Sequence, residues 1–139
     1  MTKMLQTEKE SFLADLHVGV IGLNDPGVGP LTVPIWYDYT PGGRLWVITG
    51  ENSKKGALMQ IGTRISMAAQ TETAPYQYVS VEGVIEDITP TTTAELEDMA
   101  VRYLGETQGK AYAEASGVAG QITVWMRPER WLAVDYSKM

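Results

Sequence analysis

The sequence contains no cysteine and only one histidine in 139 residues. Without cysteine the chain has no disulfide, no thiolate metal site and no cysteine nucleophile, and it is compatible with a reducing compartment. The single histidine, His17, excludes a histidine-rich metal site and a histidine pair within one chain. His17 stands at the start of a predicted strand, where we expect a half-buried structural residue. We therefore predict a protein without a bound metal.

Long apolar stretches and basic clusters are also missing. The longest apolar stretches span a few residues, and the first ten residues, MTKMLQTEKE, lack the apolar core of a signal peptide. The formal net charge is -6, and no basic run is longer than Lys54-Lys55, which argues against binding to nucleic acid or to an anionic membrane. We expect a soluble, cytoplasmic protein with no membrane span and no nucleic-acid partner.

The overall amino-acid composition is typical of a folded domain. Hydrophobic residues make up 44% of the chain and charged residues 20%, which is far from the composition of disordered segments. A chain of this length matches one domain and is too short for two independent cores. No linker, repeat or low-complexity segment divides it, so we predict a single domain over residues 1–139.

Alternating apolar positions and turn signals predict an α+β protein that is mainly β. Segments 31–39 and 44–49 flank Thr40-Pro41-Gly42-Gly43, a hairpin signal in which glycine adopts positive φ. Pro34 lies inside the first segment and cannot donate a ladder hydrogen bond, which predicts an interruption of the ladder: an edge strand, a bulge, or a place where something other than a strand contacts the backbone. Further strands are predicted over 17–23, 64–71, 78–88, 121–126 and 131–134, and helices from a capping box at Thr7, after Ser53, over 94–104 and over 109–115. Six or seven strands with three or four helices, mostly joined by hairpins, indicate an antiparallel barrel with helices outside it.

The segment VITGENSKKGALMQIG, residues 47–62, has the features of an anion site. A β-branched run ends at Gly50, and Ser53, Lys54 and Lys55 stand at the start of a predicted amphipathic helix. A helix start presents unpaired amides and a partial positive charge, which suit a phosphate. The alternative is that Ser53 only caps a surface helix while the lysines stay solvated, which is a common arrangement.

An aromatic strand precedes this segment. Trp36, Tyr37 and Tyr39 follow Pro34, and free backbone groups around the proline would suit the heteroatoms of a planar ring. Together with the helix start, the pattern fits a flat aromatic ligand with a phosphate tail. Each of these aromatic residues, taken alone, fits a position in the core or a dimer interface better than a ligand contact.

Residues 33–83 combine four elements in a fixed order: a Pro-x-Trp-Tyr strand, a strand ending in Thr-Gly, a Ser-Lys-Lys helix start and the strand Tyr-Val-x-Val-Glu-Gly. In this combination the chain resembles the pyridoxamine 5'-phosphate oxidase-like family, in its actinobacterial flavin- and deazaflavin-dependent branch. The resemblance extends from Phe12 to the closing MRPERWLAVDYSK. It implies an antiparallel split β-barrel with flanking helices, and a homodimer whose cofactor sites lie in grooves between the subunits.

The resemblance also implies which residues hold the cofactor. The strand around Pro34 would lie along the ring, the strand end at Gly50 and the helix start would hold the phosphate, and Gln70 would face the same groove. Weaker candidates, some of them reaching in from the partner subunit, lie near Tyr76 and in the closing segment. The implied set is Val33, Pro34, Ile35, Trp36, Val47, Thr49, Gly50, Ser53, Lys54, Lys55, Gln70, Tyr76, Arg130 and Trp131, with Arg127 as a further candidate.

The favoured cofactor is coenzyme F-420, a deazaflavin, with FMN as the alternative. Coenzyme F-420 carries a polyglutamate tail, and Lys54, Lys55 and Arg64 would supply positive charge along its exit. No residue stands out as a general acid or base, which suits hydride chemistry that belongs to the cofactor. The expected function is an oxidoreductase that transfers a hydride to a small planar or conjugated substrate. The alternatives are a carrier that binds a flavin, a deazaflavin or a tetrapyrrole without turnover, and a purely structural dimer.

Overall fold

The computed structural model describes all 139 residues and contains eight strands and four α-helices. In chain order the elements are α1 (Gln6–Ala14), β1 (Gly19–Leu23), β2 (Leu31–Ile35), β3 (Tyr37–Tyr39), β4 (Leu45–Gly50), α2 (Lys54–Ala57), β5 (Arg64–Gln70), β6 (Gln77–Pro90), α3 (Thr93–Leu104), α4 (Glu106–Ser116), β7 (Gln121–Met126) and β8 (Arg130–Asp135), with a final 3-10 turn (Tyr136–Lys138). The predicted mainly β, α+β fold with flanking helices is confirmed. None of the four helices is long and apolar enough to cross a membrane.

All strand pairs are antiparallel, and the sheet curls into a split barrel. The strands follow the order β2-β1-β5-β6-β7-β4-β3, and only Trp36 separates β2 from β3, so the two ends of this path meet at that residue. The long strand β6 pairs with β5 and β8 in its first half, and with β7 in its second half. We call β2, β1, β5, β8 and the first half of β6 the first half-sheet, and the remaining strands the second half-sheet.

Strand alternation places apolar side chains inside the barrel. Val79 and Val81 of β6 and Val47 of β4 are buried, as expected when one face of a sheet covers a core. Tyr37 at the start of β3 is fully buried, and its hydroxyl donates to the carbonyl of Leu13 at 2.6 Å. Burial raises the pKa of Tyr37, so the hydroxyl stays protonated and ties α1 to the barrel.

The helix α3 is fixed to the junction of β2 and β3 by two side chains. The Tyr103 hydroxyl accepts from the amide of Tyr37 at 3.0 Å and donates to the carbonyl of His17 at 2.6 Å. Arg102 donates to the carbonyls of Tyr37 and Asp15, at 3.0 and 2.9 Å. These bonds satisfy backbone groups of Tyr37 that the sheet leaves unpaired, and so they hold the strand break in place.

Three local predictions are wrong. The first helix begins at Gln6, where the Glu8 carboxylate accepts from the amide of Leu5 at 2.7 Å, and Thr7 does not cap it. The predicted strand 31–39 is not continuous and breaks at Trp36, because α3 binds the next amide, whereas Pro34 lies in the edge strand β2, which confirms the edge among the alternatives predicted for it. The helix after Ser53 is a single turn, because the chain leaves it to bury Met59 in the core.

Candidate functional site

The predicted anion segment forms the turn between β4 and α2. The Ser53 hydroxyl accepts from the amide of Gly56 at 3.0 Å and donates to the carbonyl of Gly50 at 2.7 Å. The Thr49 hydroxyl lies 3.2 Å from the hydroxyl oxygen of Ser53. Ser53 is therefore the N-cap of α2, and its proton is already used within the turn.

The start of α2 nevertheless presents free donors. The amides of Lys54 and Lys55 make no backbone hydrogen bond, as expected for the first helical positions. The Lys54 ammonium pairs with Asp25 of the β1–β2 loop at 3.1 Å. Lys55 is half-buried and has no carboxylate within ion-pair distance. Two amides and one unpaired ammonium group thus remain for an anion at this turn.

The open edge of β2 is the second feature of the site. β2 pairs only with β1, and Pro34 stands opposite Val20. Because Pro34 has no amide hydrogen, the residues on either side of it form the hydrogen-bonded pairs with β1. The carbonyl of Pro34 is therefore directed to the open edge of β2. The amide of Trp36, two residues further on, makes no backbone hydrogen bond either. Unpaired backbone groups are therefore available where the barrel splits, as the sequence predicts for the region around Pro34.

Most of the other predicted side chains in these strands face away from the split. Ile35, Val47 and Thr49 are buried, and Val33 packs against the same core. Only their backbone atoms are placed to contact a ligand. Trp36 lies on the outer side of the barrel under α3 and α4, where its ring stacks on Tyr103 with centroids 4.9 Å apart.

A groove of about 860 Å³ lies on the outer face of the first half-sheet. Its volume is that of a site for a cofactor or a drug-sized ligand. Small side chains make the middle of its floor flat. Four residues that lie side by side on adjacent strands form this floor from β2 to β6: Pro34, Val20, Ala68 and Ser80. Gln70 and Tyr78, which stand opposite each other on β5 and β6, line the same groove.

His17 forms part of the wall of this groove. Its ring stacks on Phe12 with centroids 4.4 Å apart, and its Nε2 is buried without a hydrogen-bond partner. Burial lowers the pKa of His17, so the ring is neutral at pH 7. The half-buried position that the sequence predicts is confirmed.

The weaker candidates lie beyond the groove. Arg130 and Trp131 line a neighbouring depression of about 470 Å³ that shares Ser80 with the groove. Arg130 pairs with Glu82 at 3.2 Å, and the Trp131 ring packs edge-on against a core tyrosine. Tyr76 is exposed in the β5–β6 turn. Arg127 is also exposed, and it pairs with Glu86 of the neighbouring strand β6 at 3.5 Å.

The structure thus gathers the predicted residues into two groups. Pro34 and Gln70 line the groove, whereas Gly50, Ser53 and the two lysines form the β4–α2 turn. The groove residues Ala68, Tyr78 and Ser80 are absent from the predicted set. A signal for the last two exists, because they occupy the β6 positions that alternate with the buried valines, and such positions face outward.

The fold and the open edge together define a class: this chain is a split β-barrel of the type found in the pyridoxamine 5'-phosphate oxidase-like proteins. No protein-family model and no curated protein matches the sequence. Solved structures match over nearly the whole chain, at identities that show the fold alone. The predicted resemblance and the split-barrel fold are confirmed at this level.

Three of these structures illustrate the match. A conserved hypothetical protein from Mycobacterium tuberculosis is 22% identical, with a TM-score of 0.77 over 99% of this chain and 88% of that chain. An F-420 reductase is 21% identical, with a TM-score of 0.71 over 88% of this chain and 94% of that chain. An FAD and heme binding protein from Mycobacterium smegmatis is 12% identical, with a TM-score of 0.69 over 96% of this chain and 72% of that chain.

Proposed function

We propose that this chain is a deazaflavin- or flavin-dependent oxidoreductase that passes a hydride to a small planar or conjugated substrate. Coenzyme F-420 is the favoured cofactor and FMN the alternative. The observation that carries the proposal is the 860 Å³ groove beside the unpaired backbone of β2. It occurs in a fold that this chain has in common with an F-420 reductase and an FAD-binding protein.

The residues present fit such a cofactor. The flat floor around Ala68 and Ser80 suits a planar ring, and the carbonyl of Pro34 and the amide of Trp36 suit the hydrogen-bonding groups on the ring edge. The free amides of α2 and the ammonium group of Lys55 suit the phosphate. A bound deazaflavin or flavin would supply the hydride chemistry, and the chain would supply binding, orientation and exclusion of water.

The choice of coenzyme F-420 depends on the family likeness and not on charge. Lys54 is paired with Asp25, and Arg64 is paired with Glu129 at 3.3 Å. Lys55 is therefore the one cation of the predicted tail-binding set that has no carboxylate partner. FMN needs only a phosphate site, which Lys55 and the free amides would provide.

We further propose that the functional unit is a homodimer. Apolar side chains beside the groove are exposed in the single chain, namely Leu16, Val18, Val20 and Leu132. A continuous apolar face of this kind marks an interaction surface. A second copy on the first half-sheet would cover these side chains and close the open side of the groove.

Binding without turnover is the second candidate. The groove holds few groups able to exchange protons: His17 is neutral and half-buried, and Glu72 is an exposed carboxylate. A neighbour of this fold is an FAD and heme binding protein. A carrier or sequestering protein would need the same groove and no reactive side chain.

A binding titration tests the proposal. We expect saturable binding of coenzyme F-420, weaker binding of FMN and the weakest binding of FAD, followed by tryptophan fluorescence and by calorimetry. Riboflavin, which lacks the phosphate, is the matched control and should bind more weakly than FMN. Absence of saturable binding for all the phosphate-bearing cofactors would refute both the oxidoreductase and the flavin-carrier proposals.

A further inference from the structure

One wall of the groove is the connection between α1 and β1, which we call the wall segment, residues 16–18. All three of its residues, Leu16, His17 and Val18, line the groove. None of them takes part in a hydrogen bond between backbone atoms. Leu16 and Val18 are more than half exposed, at 56% and 54%, so their side chains add little packing. The wall segment therefore depends on another part of the chain to keep its shape.

Tyr103 on α3 supplies this support. Its hydroxyl oxygen lies 2.6 Å from the carbonyl oxygen of His17 and 2.9 Å from that of Tyr37. A tyrosine hydroxyl has one hydrogen, and the Tyr37 carbonyl already accepts from Nε of Arg102 at 3.0 Å. The hydrogen of Tyr103 is therefore assigned to His17. It makes the one hydrogen bond that any part of the chain forms with the backbone of the wall segment.

Arg102 supports the residues that lead into the wall segment. Its guanidinium group donates to the carbonyls of Ala14 and Asp15, at 3.2 and 2.9 Å. The same group pairs with Asp38 of β3 at 3.4 Å. The end of α3 thus connects the wall segment to the strand that follows the split.

Tyr103 also fixes the backbone at the split itself. Its hydroxyl accepts from the amide of Tyr37 at 3.0 Å, and its ring stacks on the Trp36 ring with planes inclined by 7°. Trp36, whose amide makes no backbone hydrogen bond, is held by the ring, and its neighbour Tyr37 is held by the hydroxyl. One side chain therefore contacts two parts of the candidate site, the wall segment and the unpaired backbone at the split.

We propose that Tyr103 is a positioning residue, whose hydroxyl fixes the wall segment and the backbone at Trp36 in the arrangement that receives the cofactor. The role in the wall segment stands on the contacts above, whereas the effect on the cofactor rests on the proposed function. A wall segment that is already fixed loses little conformational entropy when a ligand binds. A free wall segment would have to be ordered at that moment, at a cost in affinity.

Tyr103→Phe tests the role in the wall segment, because it keeps the ring on Trp36 and removes the hydroxyl. His17 is the one histidine of the chain, so its imidazole gives one NMR signal that can be titrated with pH in the absence of any ligand. In the wild type, burial keeps the pKa of His17 below its ordinary value. In the variant the released ring should become exposed, and the pKa of His17 should rise toward about 6.5. The charged groups that act on the imidazole, Asp15 and Arg102, are retained, so the change reports burial.

Cofactor titration is the second readout. We expect coenzyme F-420 and FMN to bind Tyr103→Phe about tenfold more weakly than the wild type, which is the effect of about one lost hydrogen bond. Arg102→Lys keeps the positive charge and loses the forked donor group. It should change both readouts in the same direction, and it decides the question if Tyr103→Phe does not fold.

Two control variants separate positioning from stability. Tyr112→Phe removes a hydroxyl from the tyrosine of α4 that also packs against Trp36, with ring centroids 5.7 Å apart. Thr92→Ala removes the N-cap of α3, which should lower stability without affecting the wall segment. Both variants should titrate and bind the cofactor as the wild type does. An unchanged pKa of His17 in Tyr103→Phe, or an equal change in Thr92→Ala, would overturn the inference.

The two readouts also separate this inference from the proposed function. Cofactor binding that is equally tight in the wild type and in Tyr103→Phe refutes this inference alone. The expected change in the pKa of His17, in a protein that binds no cofactor, supports the role of Tyr103 in the wall segment and refutes the proposed function alone.

Discussion

At the scale of single residues, Ser53 and Lys55 differ in their contacts although they lie two positions apart. The Ser53 hydroxyl is used twice within its own turn, on Gly50 and on Gly56. Lys55 has no acidic partner and contributes little to the fold. The structural-cap interpretation therefore applies to Ser53, and the proposed anion site would depend on Lys55 and the free amides of α2.

Substitution of these two residues should separate stability from binding. Ser53→Ala should lower the free energy of unfolding by about 1 kcal/mol, because the cap is lost. Lys55→Ala should leave the apo protein's stability unchanged and weaken cofactor binding about tenfold to a hundredfold, since a charge-assisted contact contributes about 1.5–3 kcal/mol. Urea unfolding and cofactor titration of both variants provide the two measurements.

Lys110→Ala is the control for the loss of one positive charge, because Lys110 pairs only with Glu106 on exposed α4. If Lys55→Ala binds the cofactor as tightly as Lys110→Ala does, the phosphate is not held at this turn.

The half-buried imidazole of His17, whose Nε2 atom is buried, should make stability depend on pH. Burial lowers its pKa in the folded state, so below the unfolded value of about 6.5 the unfolded chain binds more protons than the folded chain. The contribution of His17 to stability should therefore be fully present above about pH 7 and decrease as the pH falls below about 6.5. Urea unfolding across this range should show the fall in the wild type and a smaller one in His17→Gln. Equal slopes for the two proteins would mean that the imidazole accepts a proton without penalty.

At the scale of secondary-structure elements, the α3–α4 pair depends on a close approach at Gly109. A Cβ atom at this position would lie 2.5 Å from the Cα of Val101 on α3, and a backbone atom cannot yield as a flexible side chain can. The contact lets the two helices pack closely and cover the second half-sheet together.

Gly109→Ala should therefore destabilise the protein, although alanine is the better helix former by about 1 kcal/mol. Overpacking of this kind costs about 1–3 kcal/mol, so we expect a net loss of stability in thermal or urea unfolding. Ala115→Gly, at an exposed position of the same helix, is the comparison and should show only the propensity effect. A more stable Gly109→Ala protein would show that the helices can separate at little cost.

The elements also show what sequence patterns can and cannot predict. Alternation and the Thr40–Gly43 hairpin signal locate the strands, and the unpaired backbone at Pro34 follows from proline chemistry alone. The break at Trp36 is not readable locally, because it depends on Tyr103, which lies 67 positions along the chain. The groove cannot be predicted from local sequence either, because it is formed by tertiary structure. Residues such as Val20, Ala68 and Ser80 become neighbours only through the order of the strands in the sheet.

At the scale of the whole molecule, the first half-sheet has an uncovered apolar face. The exposed side chains of Val20 on β1 and Leu132 on β8 lie in one row across it, with Ala68 and Ser80 between them. The second half-sheet, in contrast, is covered by α3 and α4. In the proposed homodimer the partner subunit would therefore cover the groove and not the helices.

A charge on this face should dissociate the proposed homodimer. Leu132 is 62% exposed in the single chain, so Leu132→Lys should fold normally and shift sedimentation from dimer to monomer. Ile61, which is 64% exposed outside this face, provides the matched control in Ile61→Lys, which should remain dimeric. A wild-type protein that sediments as a monomer, or a Leu132→Lys variant that remains dimeric, would place the interface elsewhere or exclude it.

The central claim is that the groove serves a redox reaction, and the most direct test is the oxidation of reduced coenzyme F-420 bound to the protein. Planar enones, quinones and tetrapyrroles are offered in turn, and the cofactor's absorbance is followed with and without the protein. We predict that at least one conjugated carbonyl acceptor oxidises the bound cofactor faster than it oxidises the free cofactor. One molecule of reduced acceptor should form for each molecule of cofactor that is oxidised. Tight cofactor binding with no acceleration by any acceptor would contradict an oxidoreductase and indicate a carrier.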